Sequence, residues 1–78
     1  MYFTSFETAS LKRMQLVELP DGTFTHKDYT FVATCLATSY IDNKVITAFQ
    51  LEHADIVYNF NNFPDLLQAL QDIFKDNQ

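Results

Sequence analysis

The sequence predicts an α+β protein: a small antiparallel sheet of three to four strands in the order β-β-β-α, with one C-terminal amphipathic helix packed on one face. Three observations carry that class. Phe63, Leu66, Leu67, Leu70, Ile73 and Phe74 recur at i, i+3, i+4, i+7, i+10 and i+11, one stripe of a helix. The runs "DYTFVATCLATSYI" and "KVITAFQLEHADIVYNF" are rich in Thr, Val, Ile, Tyr and Phe, with neither Gly nor Pro inside. Turn chemistry separates the runs, as Pro20-Asp21-Gly22 and Asp42-Asn43.

Seventy-eight residues suit a single domain over 1–78, divided into an N-terminal arm (1–10), antiparallel strands (11–60) and a helix (63–75). The arm "MYFTSFETAS" carries Tyr2, Phe3 and Phe6 and has no assigned structure. "LKRMQLVEL" reads as the first strand, ending at the Pro20-Asp21-Gly22 turn. Apolar alternation then breaks at His26-Lys27-Asp28, where a bulge or short loop is expected.

The central hairpin turns at Asp42-Asn43. A three-residue loop with Asn43 left-handed pairs Ser39 with Val45, Cys35 with Phe49 and Ala33 with Leu51. A register one residue away sets Cys35 against Gln50 and scatters the apolar side chains. "LEHAD" is a possible further turn that divides the last strand in two. The helix opens at Asn62 or Phe63, with Pro64 in its first turn and Asp65 complementing its positive end. Asp65, Gln68, Gln71, Asp72 and Lys75 face water.

Composition narrows the function. Apolar residues make up 47% and charged ones 19%, which fits a packed globule rather than a disordered tail. The net charge of −5 arises from having only five Lys and Arg, and the ten acids are scattered. Without clustered cations, direct nucleic-acid binding is not expected. A phosphate mimic that inhibits a DNA-binding protein is one alternative function. One cysteine rules out an intrachain disulfide and the two-cysteine zinc sites, so a reduced, cytoplasmic setting is expected. No basic-then-apolar leader or membrane-length apolar run is present, so no membrane partner is expected.

Cys35 is the first candidate reagent. On its strand it shares a face with Phe31, Ala33 and Ala37, and the two alanines leave room for Leu67, Leu70 or Phe74. With His26 and His53 distant in sequence, Cys35 reads as a core thiol. His53 and Asp55 could hold a metal or small ligand through a His-x-Asp pair, but no third ligand is evident. Gly22 is the only glycine, so there is no phosphate-cradling loop. The expectation is therefore no catalytic residue, no cofactor and no metal.

The other face of the sheet is the more informative one. Val32, Leu36 and Tyr40 alternate against the Cys35 series, joined by Ile46 and Ala48, with Thr30, Thr34 and Thr38 between. One helix covers one face. The second is either closed by the arm, which could fold over it or add a strand, or docks on another chain. The expected function is a non-catalytic, small acidic protein-interaction module: a homodimer, or a binder or inhibitor of another protein. Val32, Leu36, Tyr40 and Ile46 are its candidate partner-binding residues. The size and acidity also suit small inhibitors of the phage and mobile-element type, a likeness with no motif behind it.

Overall fold

The computed structural model describes residues 2–76, and the side chains of all of these except 37–39 and 76. The order is α1 (Ser5–Arg13), β1 (Val17–Glu18), β2 (Phe24–His26), β3 (Tyr29–Ile41), β4 (Lys44–His53), β5 (Ile56–Phe60) and α2 (Phe63–Asp76). The five strands form one antiparallel meander in chain order. The α+β class holds. The sheet has five strands rather than three to four, and a second helix precedes it.

Helix α1 occupies much of the expected arm and the start of the expected first strand. A reciprocal cap starts it: the Glu7 backbone N–H donates to Thr4 Oγ1 (3.2 Å), and the Thr4 N–H donates to Glu7 Oε1 (2.9 Å). Gln15, at φ 68°, ends it in the left-handed region. There the Gln15 N–H donates to the Lys12 carbonyl and the Leu16 N–H to the Leu11 carbonyl. Leu11 and Leu16 are both buried, the apolar contact that accompanies this kind of helix end. Leu11, Lys12 and Arg13 are therefore helical, and only Val17–Glu18 of "LKRMQLVEL" is strand.

The Pro20-Asp21-Gly22 turn forms as expected. Gly22 sits at φ 88°, and a Cβ there would run into the Tyr2 ring, so both backbone and space require glycine. Thr23 donates to Asp21 through its N–H (3.0 Å) and its hydroxyl (2.7 Å), which holds the Asp21 carboxyl below the usual carboxylate range. At His26 the β2–β3 register shifts, where the alternation fails in the sequence.

In the central hairpin, Cys35 opposes Phe49 and Ala33 opposes Leu51, as the buried pattern demands. The tip differs. Asp42 and Asn43 are both left-handed and form a two-residue turn, so Ile41 opposes Lys44 and Ser39 opposes Ile46 rather than Val45. A bulge between Cys35 and Ala37 absorbs the extra residue, which is how both the core register and the tight turn coexist. "LEHAD" does divide the last run: Ala54 and Asp55, both left-handed, turn β4 into β5.

Helix α2 follows its predicted stripe. Phe63, Leu66 and Leu70 are buried; Leu67, Ile73 and Phe74 pack against the core from its margin. The Asp65 N–H donates to Asn62 Oδ1 (2.9 Å), and Asn62 Nδ2 returns a bond to Asp65 Oδ2 (3.0 Å), so Asn62 is the cap. Phe3 stacks on Phe49 (5.8 Å) and meets Phe24 and Phe63 edge-on (5.4 and 6.3 Å). At the other end of α2, Phe74 lies 4.9 Å from Tyr29, 5.5 Å from His26 and 5.9 Å from Phe31. The arm thus closes the same face as α2, through Phe3, and does not cover the second face or add a strand.

Candidate interaction surface

β3 is 13 residues long and spans ~43 Å at about 3.3 Å per residue, matching the 41 Å long axis of the molecule. Helix α2, with 14 residues, spans only ~21 Å. Its two aromatic anchors reach from Phe49, opposite Cys35, to Tyr29 at the start of β3. The helix therefore shields the hairpin from Tyr29 to Cys35 and leaves the rest. The neighbouring strands stop there too: β2 pairs with β3 only as far as Ala33, and β5 pairs with β4 only over Phe49–His53. Residues 36–48 form a two-stranded ribbon beyond the globule, with no strand on either outer edge among the described residues.

The ribbon is apolar. Leu36, Tyr40, Ile41 and Val45 are 42%, 79%, 53% and 61% exposed. Its only charged residues are Asp42 and Lys44, beside the turn. Apolar side chains concentrated on a projecting element are unlike the scattered ones of an ordinary surface.

The candidate residues do not share one face. Val32 opposes Glu52 on the face away from the helices, in a row running Val17, Thr25, Val32, Glu52 and Val57 across all five strands. Ile46 lies on that face and is half-buried. Leu36 is the bulged residue. Tyr40 opposes Val45, four residues before Phe49, so the bulge has moved it to the helix side of the sheet. It lies past the end of α2 and stays exposed there. Nothing in the residue types marks Leu36 as a bulge, because Cys35, Leu36 and Ala37 are all apolar and leave no alternation there to break.

The second face is mixed rather than greasy. Beyond the row of valines lie Thr34, Gln50 and Asn59, and a shallow depression of about 440 Å³ beside Val32 is lined by Thr25, Thr30, Glu52 and Asp55 among others. The Thr25 hydroxyl is spent on the Phe31 carbonyl (2.9 Å).

Cys35 is buried in the core cluster, and burial followed by the charge of Glu7 pushes its thiol pKa up. That suits the core reading, since a thiol is reactive as thiolate. The side chain of Ala37, expected beside it, lies outside those described, as does that of Thr38, expected on the second face. His53 opposes Phe31, its Nδ1 lying 3.2 Å from the Thr30 carbonyl, while Asp55 belongs to the turn. Among the described residues no three His, Cys, Asp or Glu side chains gather closely enough to hold a metal ion. The carboxylates sit on separate elements: Asp42 at the ribbon tip, Glu52 on the second face, Asp65 and Asp72 on the outer side of α2, and Asp21 and Asp28 in turns. No helix among the described residues is long and apolar enough to cross a membrane. Compared with known proteins, the chain matches no family model, no curated protein and no solved structure.

Proposed function

We propose that the chain is a non-catalytic protein-interaction module whose contact surface is the β3–β4 ribbon and the sheet face at its root. The observation that carries this reading is the length mismatch. A ~21 Å helix lies on a ~43 Å hairpin, leaving Leu36, Tyr40, Ile41 and Val45 in water on strands that no further strand flanks among the described residues. Free backbone N–H and C=O groups along such an edge accept another strand, and alternate side chains then give the contact its specificity. Removing those side chains from water supplies the driving force.

A metal or small-ligand role for His53 and Asp55 has no such feature in its favour: among the described residues no third donor joins them. A phosphate mimic needs its carboxylates in a row, whereas these are spread over the tip, the second face, the turns and α2. Docking through the ribbon is therefore the preferred function, with a reduced, cytoplasmic setting suggested by the single cysteine.

The test is capture from cell extract by immobilised wild type and by Tyr40→Lys and Val45→Lys variants. Both positions are exposed, so folding should survive. Proteins retained by the wild type and lost by both variants support the proposal. Identical capture by all three proteins would remove the ribbon as the contact surface.

A further inference from the structure

We infer that the occupant of the ribbon is a second copy of this chain, joined through the outer edge of β3 about a two-fold axis. This rests on the docking reading above and names its partner.

Among the described residues the sheet has four edges that no strand flanks, and they are not equivalent. The edge of β1 is two residues long and runs into Pro20, which donates nothing. The edge of β5 is five residues long but follows Asp55, with Glu52 beside it on β4 opposite Val57. The distal edge of β4 begins with Lys44. The outer edge of β3, from Thr34 to Ile41, carries no charge, proline or glycine in eight residues. Edge strands that stay single are ordinarily guarded by such residues, and this one is guarded only by the bulge at its root.

Charge favours self-association here and opposes it elsewhere. Each copy carries −5, so two copies repel wherever acids would meet. The ribbon is where they would not: between Cys35 and Phe49 one Asp and one Lys cancel. An antiparallel β3–β3 contact is isologous, bringing the same neutral patch from both copies and closing at two chains. The new ladder pairs the backbone groups of the two β3 edges, and Leu36, Tyr40 and Ile41 on the seam strand lose water along their flanks.

The experiment is light scattering behind size exclusion on the full chain, up to about 100 μM, with Tyr40→Lys on the ribbon and Val57→Lys on β5 as the comparison. The expected wild-type mass is twice 9.1 kDa. Tyr40→Lys should return it to the chain mass with an unchanged circular dichroism spectrum and a thermal midpoint that no longer rises with concentration, and Val57→Lys should leave the dimer intact. Amide exchange over residues 36–41 should slow as concentration rises. A wild type that stays at the chain mass overturns self-pairing, while capture from extract still judges the broader docking role. A dimer abolished by Val57→Lys and indifferent to Tyr40→Lys overturns the ribbon as its seam.

Discussion

The two halves of the β3–β4 hairpin use similar residues for opposite ends. Near the root, Phe31, Ala33, Cys35, Phe49 and Leu51 are all buried beneath α2 and Phe3. Past the bulge, Leu36, Tyr40, Ile41 and Val45 on the same two strands stand in water. Hydrophobicity does not separate the halves; their neighbours do. A side chain becomes core when a helix or a flanking strand reaches it, and here both kinds of neighbour end near Cys35 and Phe49. The boundary is a matter of element lengths, a helix rising 1.5 Å per residue against a strand rising more than twice that.

The sharpest way to break this comparison is to truncate one large side chain on each side of it. Phe49→Ala removes a ring that touches Phe3 and Phe63 and should cost about 3–5 kcal/mol. Val45→Ala, four residues along the same strand, should change the stability of the isolated chain by no more than about 0.5 kcal/mol. Urea unfolding monitored by circular dichroism measures both. Comparable losses at the two positions would mean that the ribbon is packed after all.

Much of the architecture was legible because burial constrains it. The α2 stripe and the pairs Cys35–Phe49 and Ala33–Leu51 follow from apolar positions that tolerate no other arrangement. The features that escaped are those decided by backbone geometry. The bulge at Leu36 leaves no trace because Cys35, Leu36 and Ala37 are all apolar, and it sets Tyr40 on the opposite face from the one its parity implies. Helix α1 did leave a trace, the Thr4-x-x-Glu7 cap and the basic Lys12-Arg13 end, but only Leu11 of the helix is buried. A short helix with one buried residue has no apolar stripe to read. The candidate site was legible as surplus apolar surface and illegible as a projecting ribbon, since its extent depends on where α2 and β5 stop.

The two tight turns offer a smaller version of the same contrast between residue type and position. Asp42-Asn43 and Ala54-Asp55 both place two consecutive residues in the left-handed region, at φ 51° and 64° and at φ 52° and 66°. Asn and Asp tolerate that conformation through their short polar side chains, whereas alanine meets its following carbonyl. Ala54→Gly should therefore stabilise the protein by about 1 kcal/mol, and Asn43→Gly by a few tenths at most. Thermal unfolding reads both. If Asn43→Gly gained more than Ala54→Gly, the ribbon turn would be the strained one, and the picture of a relaxed, projecting tip would fail.

The smallest effect falls at Cys35, which stands on the boundary itself. Burial raises its thiol pKa, with Glu7 adding to the rise. A group whose folded pKa lies above its unfolded value supports the fold fully below the unfolded pKa, and that support fades as pH climbs through the folded one. Unfolding free energy should thus decline gently from about pH 8 upward, as the unfolded thiol ionises and the folded one does not. Cys35→Ala removes that thiol and should flatten the decline between about pH 8 and 9.5, below the range where Tyr and Lys titrate, whatever it does to stability at neutral pH. Iodoacetamide labelling gives the independent reading, because attack requires the thiolate in water. Modification of native protein should keep pace with global unfolding as urea is added. Labelling at a rate independent of urea would show that the hairpin opens at Cys35 without the fold, and the boundary between packed root and free ribbon would lie nearer to Tyr29 than to the bulge.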